Sequence, residues 1–128
     1  MSEITFLNID LEIESKENIA PLVKEFEKHW IVFHFSENEG FYSASFETAE
    51  MSTIKIINEY YRVISSLKGN LLDLWSNCLN KRFDIGFDSG ESPSSFSYQL
   101  DKEVLKKITS VGGTINITIY PKRNHENS

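Results

Sequence analysis

Between Leu7 and Glu14 the chain alternates strictly, with Leu7, Ile9, Leu11 and Ile13 at one set of positions and Asn8, Asp10, Glu12 and Glu14 at the other. Successive side chains of a strand point to opposite faces, so this pattern predicts a strand buried on one side and wet on the other. Ile19, Leu22, Val23 and Phe26 then recur at helical spacing behind Ser15 or Asn18 as a cap. Pro21 falls in the first turn of that helix, where a missing amide costs nothing. From Trp30 to Ser36, Ile31, Phe33 and Phe35 alternate with Trp30, Val32 and His34. The polar run Glu37-Asn38-Glu39-Gly40 leads into a second strand, Phe41 to Thr48, so a hairpin is expected. Trp30, Val32, Tyr42 and Phe46 make its second face apolar, to be covered by another part of the chain or left as an exposed recognition patch.

Residues 51–68 form the longest helical run, with Ile54, Ile57, Tyr61 and Ile64 on one stripe and Ile56, Tyr60 and Val63 widening it. So broad a stripe marks the main helix of the core. Gly69 is placed to stop this helix in a left-handed cap, and Asn70 to cap a shorter one carrying Leu71, Leu74, Trp75 and Cys78 on one face. Phe83, Ile85 and Phe87 alternate with polar residues and glycine, and beyond a Ser/Gly/Pro loop Phe96, Tyr98 and Leu100 alternate with Ser97 and Gln99. The two runs read as a second hairpin. Asp101 caps a helix with Leu105 and Ile108, Gly112-Gly113 ends it, and a last strand has Ile115, Ile117 and Ile119 inward against Asn116, Thr118 and Tyr120 outward. The expected organisation is one α+β domain over residues 1–121 with a polar tail at 122–128. The fold is a two-layer sandwich, a mostly antiparallel sheet with helices on one face, in a ferredoxin-like variant.

Charge changes the picture next. The 128 residues carry a net charge of −6, distributed unevenly. Residues 1–50 hold eleven acids against three lysines, a net of −8, whereas residues 51–128 hold ten bases against eight acids, a net of +2. Nucleic-acid binding draws most of its affinity from Lys and Arg at phosphates, so this balance argues against a direct nucleic-acid partner and matches a cationic protein better. Asp10, Glu12 and Glu14 lie about 7 Å apart along one strand face. They read as a solubilising surface or as an acidic row that receives basic side chains. No apolar run approaches membrane-spanning length, and acids stand near the amino terminus where a signal peptide carries bases. A cytoplasmic location and no membrane partner are the expectation, and with a single cysteine the fold needs no disulfide.

Chemistry is thin. Cys78 sits on an apolar helical stripe, the setting of an inert buried thiol. His29, His34 and His125 fit no metal-ligand spacing, and His34, outward on a strand beside aromatic residues, is the one suited to recognition. Asp84 and Asp88 share a strand face but lie about 13 Å apart, too far for a paired-carboxylate mechanism. With Glu91 they form turn chemistry, not the twelve-residue calcium pattern. No metal, no cofactor and no enzymatic activity are expected.

Over about residues 53–121, the segments Arg82-Phe83-Asp84-Ile85-Gly86-Phe87, Phe96-Ser97-Tyr98-Gln99-Leu100, Val111-Gly112-Gly113-Thr114 and Ile117-Thr118-Ile119-Tyr120 resemble a family of short bacterial proteins known only as a domain of unknown function. The first half departs from that family, lacking its proline-containing turn and its Arg-Lys-Gly segment. In size and acidity the chain also resembles the immunity proteins that are made beside a secreted toxin and block it in the producing cell. That resemblance implies a cationic protein toxin as partner, for instance a nuclease. The acids expected to meet it are Asp10, Glu12, Glu14, Glu37, Glu39 and Glu47, then Asp84, Asp88 and Glu91. Trp30, Tyr42 and Tyr120 are the aromatic anchors. The alternative is a small-molecule or peptide binding module, or a homodimer joined through sheet edges. The chain itself is expected to be a monomer or weak homodimer.

Overall fold

The computed structural model describes residues 4–90 and 95–121. Glu91 and the expected tail at 122–128 lie outside the described residues. The alternating segment is strand β1 (Thr5–Ser15), followed by α1 (Ala20–Glu27), β2 (Ile31–Asn38), β3 (Phe41–Glu47), α2 (Thr53–Ile64), α3 (Gly69–Ser76), β4 (Asn80–Asp88), α4 (Lys102–Ser110) and β5 (Thr114–Tyr120). The strands form one sheet in the order β2-β3-β1-β4-β5. All pairs are antiparallel except β4 with β5, which run parallel. Because β3 lies between β1 and β2, β1-α1-β2 is a split βαβ unit, and β4 completes the ferredoxin-like arrangement on the other side of β1. The expected α+β sandwich is therefore present, with β5 added at one edge.

β1 is the middle of the sheet, and its alternation divides the molecule. Ile9, Leu11 and Ile13 are wholly buried with Phe83 and Ile85 of β4, Ala44 and Phe46 of β3, and the inner sides of the helices. Phe26 of α1 packs at ring distances of 4.5 Å from Trp30 and 5.2 Å from Phe46. Trp30 in turn meets Tyr60 of α2 at 4.8 Å. The face of the hairpin with Trp30 and Phe46 is thus covered by the helices, and Val32 and Tyr42 are half-buried against the same core. The Phe26–Phe46 and Trp30–Tyr60 contacts are edge-to-face, a geometry that adds about 0.5–1.5 kcal/mol per pair to the burial of apolar area, and the Phe26–Trp30 pair is tilted.

Tyr60 does more than widen an apolar stripe. The β1–β3 ladder ends at Leu11 and Phe46, and there the Tyr60 hydroxyl reaches the carbonyls of Ile9 at 2.8 Å and Phe46 at 3.1 Å. A helix side chain supplies the donor that a neighbouring strand would have supplied. The hairpin turn is tighter than the polar run at 37–40 suggested: Glu37 and Asn38 still belong to β2, and Glu39 and Gly40, both at positive φ, form a two-residue turn. Asp101 caps α4 through Val104 N–H, and Gly112, at φ +80°, ends that helix. Gly113 beside it has no room for a Cβ, which would come within 2.3 Å of the Phe83 ring.

Several local expectations differ from the structure. Residues 95–100 form no strand. Phe96 and Tyr98 share a face, as their spacing requires, but they lay their rings on Phe87 at 5.3 and 5.0 Å instead of pairing backbone with β4. β5 takes that edge of β4, reached through α4, so the second hairpin is replaced by a parallel βαβ unit. Gly69 does adopt a left-handed conformation, yet it opens α3; α2 ends earlier, where Ser65 and Ser66 turn their hydroxyls onto the carbonyls of Tyr61 and Val63. Asn70 is not the cap of α3, whose N-cap position is Lys68. In α4 the inward residues are Val104 and Ile108, while Leu105 is exposed. Neither Ser15 nor Asn18 is the cap of α1, whose N-cap position is Ile19 with no side-chain bond; Asn18 accepts the amide of Ala20 and Ser15 that of Glu17.

Replacing Tyr60 with Phe should remove the one O–H that the buried carbonyls of Ile9 and Phe46 share at the end of the β1–β3 ladder. The expected cost is about 1–3 kcal/mol, read as a lower denaturant midpoint with unchanged steepness.

Candidate acidic binding face

The helices cover one side of the sheet and leave the other open. Residues of β1 pair with β3 and β4 so that Asp10 stands opposite Asp84, Glu12 opposite Arg82, and Leu11 level with Phe46. Glu47, one position beyond Phe46, therefore comes to the Asp10 end of the open face. Asp10 and Glu47, with Leu7, Asn8, Phe33, Asp88, Tyr120 and Pro121, line an open recess of about 620 Å³.

Each carboxylate has a different environment. Glu12 and Glu14 share the Arg82 guanidinium, at 3.4 and 3.6 Å, and Glu14 also accepts from the Asn80 amide at 2.5 Å. Arg82 is the one Lys or Arg among the described strand residues on this face; Lys81 turns to the helix side and donates to the carbonyl of Trp75. Asp84 is buried and accepts from Asn116 and Thr118 on β5, both at 2.7 Å. Glu47 accepts from the Asn8 amide at 2.6 Å. Asp10 has no such support: its Oδ1 is fully buried and has no hydrogen-bond partner among the described residues. Burial first, then the fields of Glu47, Asp84 and Glu12, push its carboxyl up to about 7.

Tyr120 forms one wall. Its ring lies over Gly86, where a Cβ would meet Cε2 at 3.1 Å. Partial burial, followed by the fields of Asp84, Asp10 and Glu12, holds its phenol above the usual range. The opposite wall includes Phe33, 58% exposed, and Leu7, 47% exposed. Phe33 alternates with the inward Val32 and so faces outward, as Ile31 does opposite Glu47. Leu7 arrives there through a bulge, because the β1–β4 register shifts between Phe6 and Asn8; the β2–β3 register shifts in the same way between Val32 and His34. An extra residue changes which way neighbouring side chains point, so strict alternation misplaced Leu7. Beyond the bulge His34 also faces outward, where its Nε2 is held by Ser36 at 2.9 Å and Ser43 at 3.2 Å.

The structure brings together Asp10, Glu12, Glu14, Glu47, Asp84, Asp88 and Tyr120 on one face. It does not bring Trp30, Tyr42, Glu37 or Glu39 there. Trp30 is 5% exposed and belongs to the core, because α1 and α2 cover its face of the hairpin, so it is not an anchor on this surface. Tyr42 stands opposite the buried Ser15 and packs toward the helices, away from the acids. Glu37 pairs with Tyr42 and spends its carboxylate on the Gly40 amide at 2.9 Å, and Glu39 is a turn residue. Glu91 lies outside the described residues. Phe33, Leu7 and Arg82 are the functional candidates that the alternation alone did not identify; opposite charges across paired strands were the available signal for Arg82.

Cys78 donates to the carbonyl of Leu74 at 3.3 Å, and its thiol is pushed up to about 11 by burial above all. Among the described residues no group of three or more His, Cys, Asp or Glu is arranged to hold a metal ion, and no helix is long and apolar enough to cross a membrane. Comparisons with known protein families, with curated proteins and with solved structures find no match. The functional argument accordingly rests on the acidic face.

Asp10 also ties this face to pH. Between its ordinary value of 3.8 and about 7 the native protein retains a proton that the unfolded chain has lost. Stability therefore falls as pH rises through that window, and the loss is complete above about pH 7. Asp10→Asn mimics the protonated form and should gain stability that is absent below pH 4 and full above pH 7. Discounted for partial exposure, the gain is about 1–2 kcal/mol. Denaturant melts at several pH values give the profile; a pH-independent difference would contradict the assignment.

Proposed function

We propose that this chain is a non-catalytic binding protein that lays its open acidic sheet face against a basic surface of another protein, in the manner of an immunity protein neutralising a cationic toxin. A nuclease is the concrete case, because carboxylates then occupy the positions of substrate phosphates. The observation that carries this reading is the convergence of Asp10, Glu12, Glu14, Glu47, Asp84 and Asp88 on one exposed sheet face with Arg82 as the opposing cation. Such a field accelerates encounter with a basic partner and weakens with salt. Phe33, Leu7 and Tyr120 supply apolar area at the centre, where a partner's lysine or arginine stem would pack and its charge would meet Asp10 and Glu47. Deprotonated Asp10 gains a counter-charge on binding, which offsets the cost of its burial. The reading places the protein in the cytoplasm of the cell that must be protected.

A second reading is favoured by the recess itself. Its 620 Å³ is the size of a small-molecule site, and a near-neutral carboxyl beside a tyrosine suits an amine ligand. A thermal-shift screen of small amines separates the two: stabilisation lost in Asp10→Asn favours the ligand.

The decisive experiment uses the wild-type chain and the triple variant Asp10→Asn, Glu47→Gln, Asp88→Asn as parallel baits, with mass spectrometry of what each retains. These isosteric changes leave the Asp84 and Arg82 bonds in place. Wild type should retain a basic protein at low salt and release it at high salt, and the variant should bind it at least tenfold more weakly. A partner held equally by both baits removes this face from the account.

A further inference from the structure

The two edges of the sheet are built differently. β2, at one edge, carries a bulge between Val32 and His34 and a charge at Glu37, devices that discourage another strand from pairing there. β5, at the other edge, has neither: Thr114–Tyr120 contains no charged residue and no proline, and its register with β4 runs without a break. Ile117 and Ile119 are 58% and 60% exposed on it. For a chain of net charge −6, an uncharged, regular, apolar edge strand requires an occupant.

The backbone identifies which groups are free. The carbonyl of Tyr120 points toward β4, where it accepts from Ser89 N–H at 3.0 Å. Along a regular strand the direction alternates, so Thr118, Asn116 and Thr114 also address β4, and Ile115, Ile117 and Ile119 aim their N–H and C=O groups outward. The sequence Thr-Ile-Asn-Ile-Thr-Ile-Tyr is self-complementary about Ile117. Against an antiparallel second copy, Ile117 meets Ile117, Ile115 meets Ile119, Asn116 meets Thr118, and Thr114 meets Tyr120. Apolar residues oppose apolar ones, polar oppose polar, and no two like charges meet. The same register places every outward-aimed residue opposite another, so the free N–H and C=O groups satisfy one another. It is also bounded: Pro121 has no amide, and the amide of Gly113, which it would oppose, is already bonded to the Ile108 carbonyl at 2.9 Å.

We propose that the chain forms a two-fold symmetric homodimer by antiparallel pairing of β5 with β5 of a second copy, centred on Ile117, giving one continuous ten-stranded sheet. On the helix side the paired isoleucines extend the apolar groove formed by Phe87, Phe96, Tyr98 and Leu100. On the other side the two acidic faces lie next to each other, each still open. The dimer is independent of the partner reading, and salt separates them: an uncharged strand pair between two anionic copies holds or tightens as salt rises, whereas acidic-face binding weakens.

Sedimentation of the full chain over a concentration series, at low and high salt, reads the association directly. Wild type should shift to dimer, and Ile117→Lys, which sets two ammonium groups opposite each other across the two-fold, should stay monomeric with an unchanged far-ultraviolet spectrum. Under mild oxidation Ile117→Cys should form a disulfide dimer. Ile119→Cys should not, because its two copies lie about 13 Å apart in this register. A wild-type chain that remains monomeric throughout overturns the proposal, even if it captures an extended peptide at this edge. So does a dimer that survives Ile117→Lys. Should the lysine variant fail to fold, the cysteine pair decides: cross-linking at 119 in place of 117 overturns the register, and cross-linking at neither overturns the pairing.

Discussion

The structure depends on one constraint, that β1 is hydrogen-bonded on both sides and so must place every second residue in the core. Ile9, Leu11 and Ile13 have no exposed surface, and this leaves Asn8, Asp10, Glu12 and Glu14 no alternative to the open face. A slip of one residue would bury three carboxylates and expose three large apolar side chains. The register of the whole sheet is thus enforced by charge on one side and burial on the other. Tyr60 secures the end of that register by bonding the carbonyls where β1 and β3 part.

The same constraint creates the candidate site. A central strand places its acids next to those of its neighbours, so Asp10 meets Asp84 across β4 and Glu47 across β3. Most of these charges are individually compensated, by Arg82, Asn80, Asn116, Thr118 or Asn8. Asp10 is left without a partner among the described residues, and its raised pKa measures the cost. Arg82 is about one-third exposed, so its two ion pairs contribute modestly to stability. Their larger effect is to hold Glu12 and Glu14 in place. A face that costs stability in the free protein is physically reasonable where a cation from outside removes the cost, which is the reasoning behind the proposed partner.

Bulges decide the rest of the surface. Without the shift after Phe6, Leu7 would turn inward with Ile9 and would not join Phe33 beside the acids, and without the shift after Val32, His34 would point to the helix side. The bulge in β2 also makes that edge a poor template for pairing, while the regular β5 remains a good one. A single kind of local irregularity therefore shapes the recess and distinguishes the two edges of the sheet.

Period and turn chemistry alone determined most of the elements: β1, the first hairpin, α2 as the main helix, the Asp101 cap and the Gly112 stop are all local patterns. The α+β class followed, because an amphipathic helix and a half-apolar strand must cover each other, whereas the strand order and the centring of the α2 stripe on Ile56, Tyr60 and Val63, with Ile54 exposed, came from the tertiary structure. The acidic row on β1 was equally legible. Tertiary structure decided what depends on neighbours distant in sequence. Alternation at 96, 98 and 100 is the same whether the backbone pairs with β4 or the rings rest on Phe87, and only competition from β5 for that edge selects the second. Trp30 and Tyr42 looked like anchors until their face of the hairpin turned to the core on the helix side. No local pattern marks a register shift, so Leu7 was missed, and only the covering of the Trp30 face shows that Phe33 lies on the open one. Nor can a list of carboxylates say which one lacks a partner, because Asp10 differs from Glu12 and Glu14 only in what the adjoining strands bring to it.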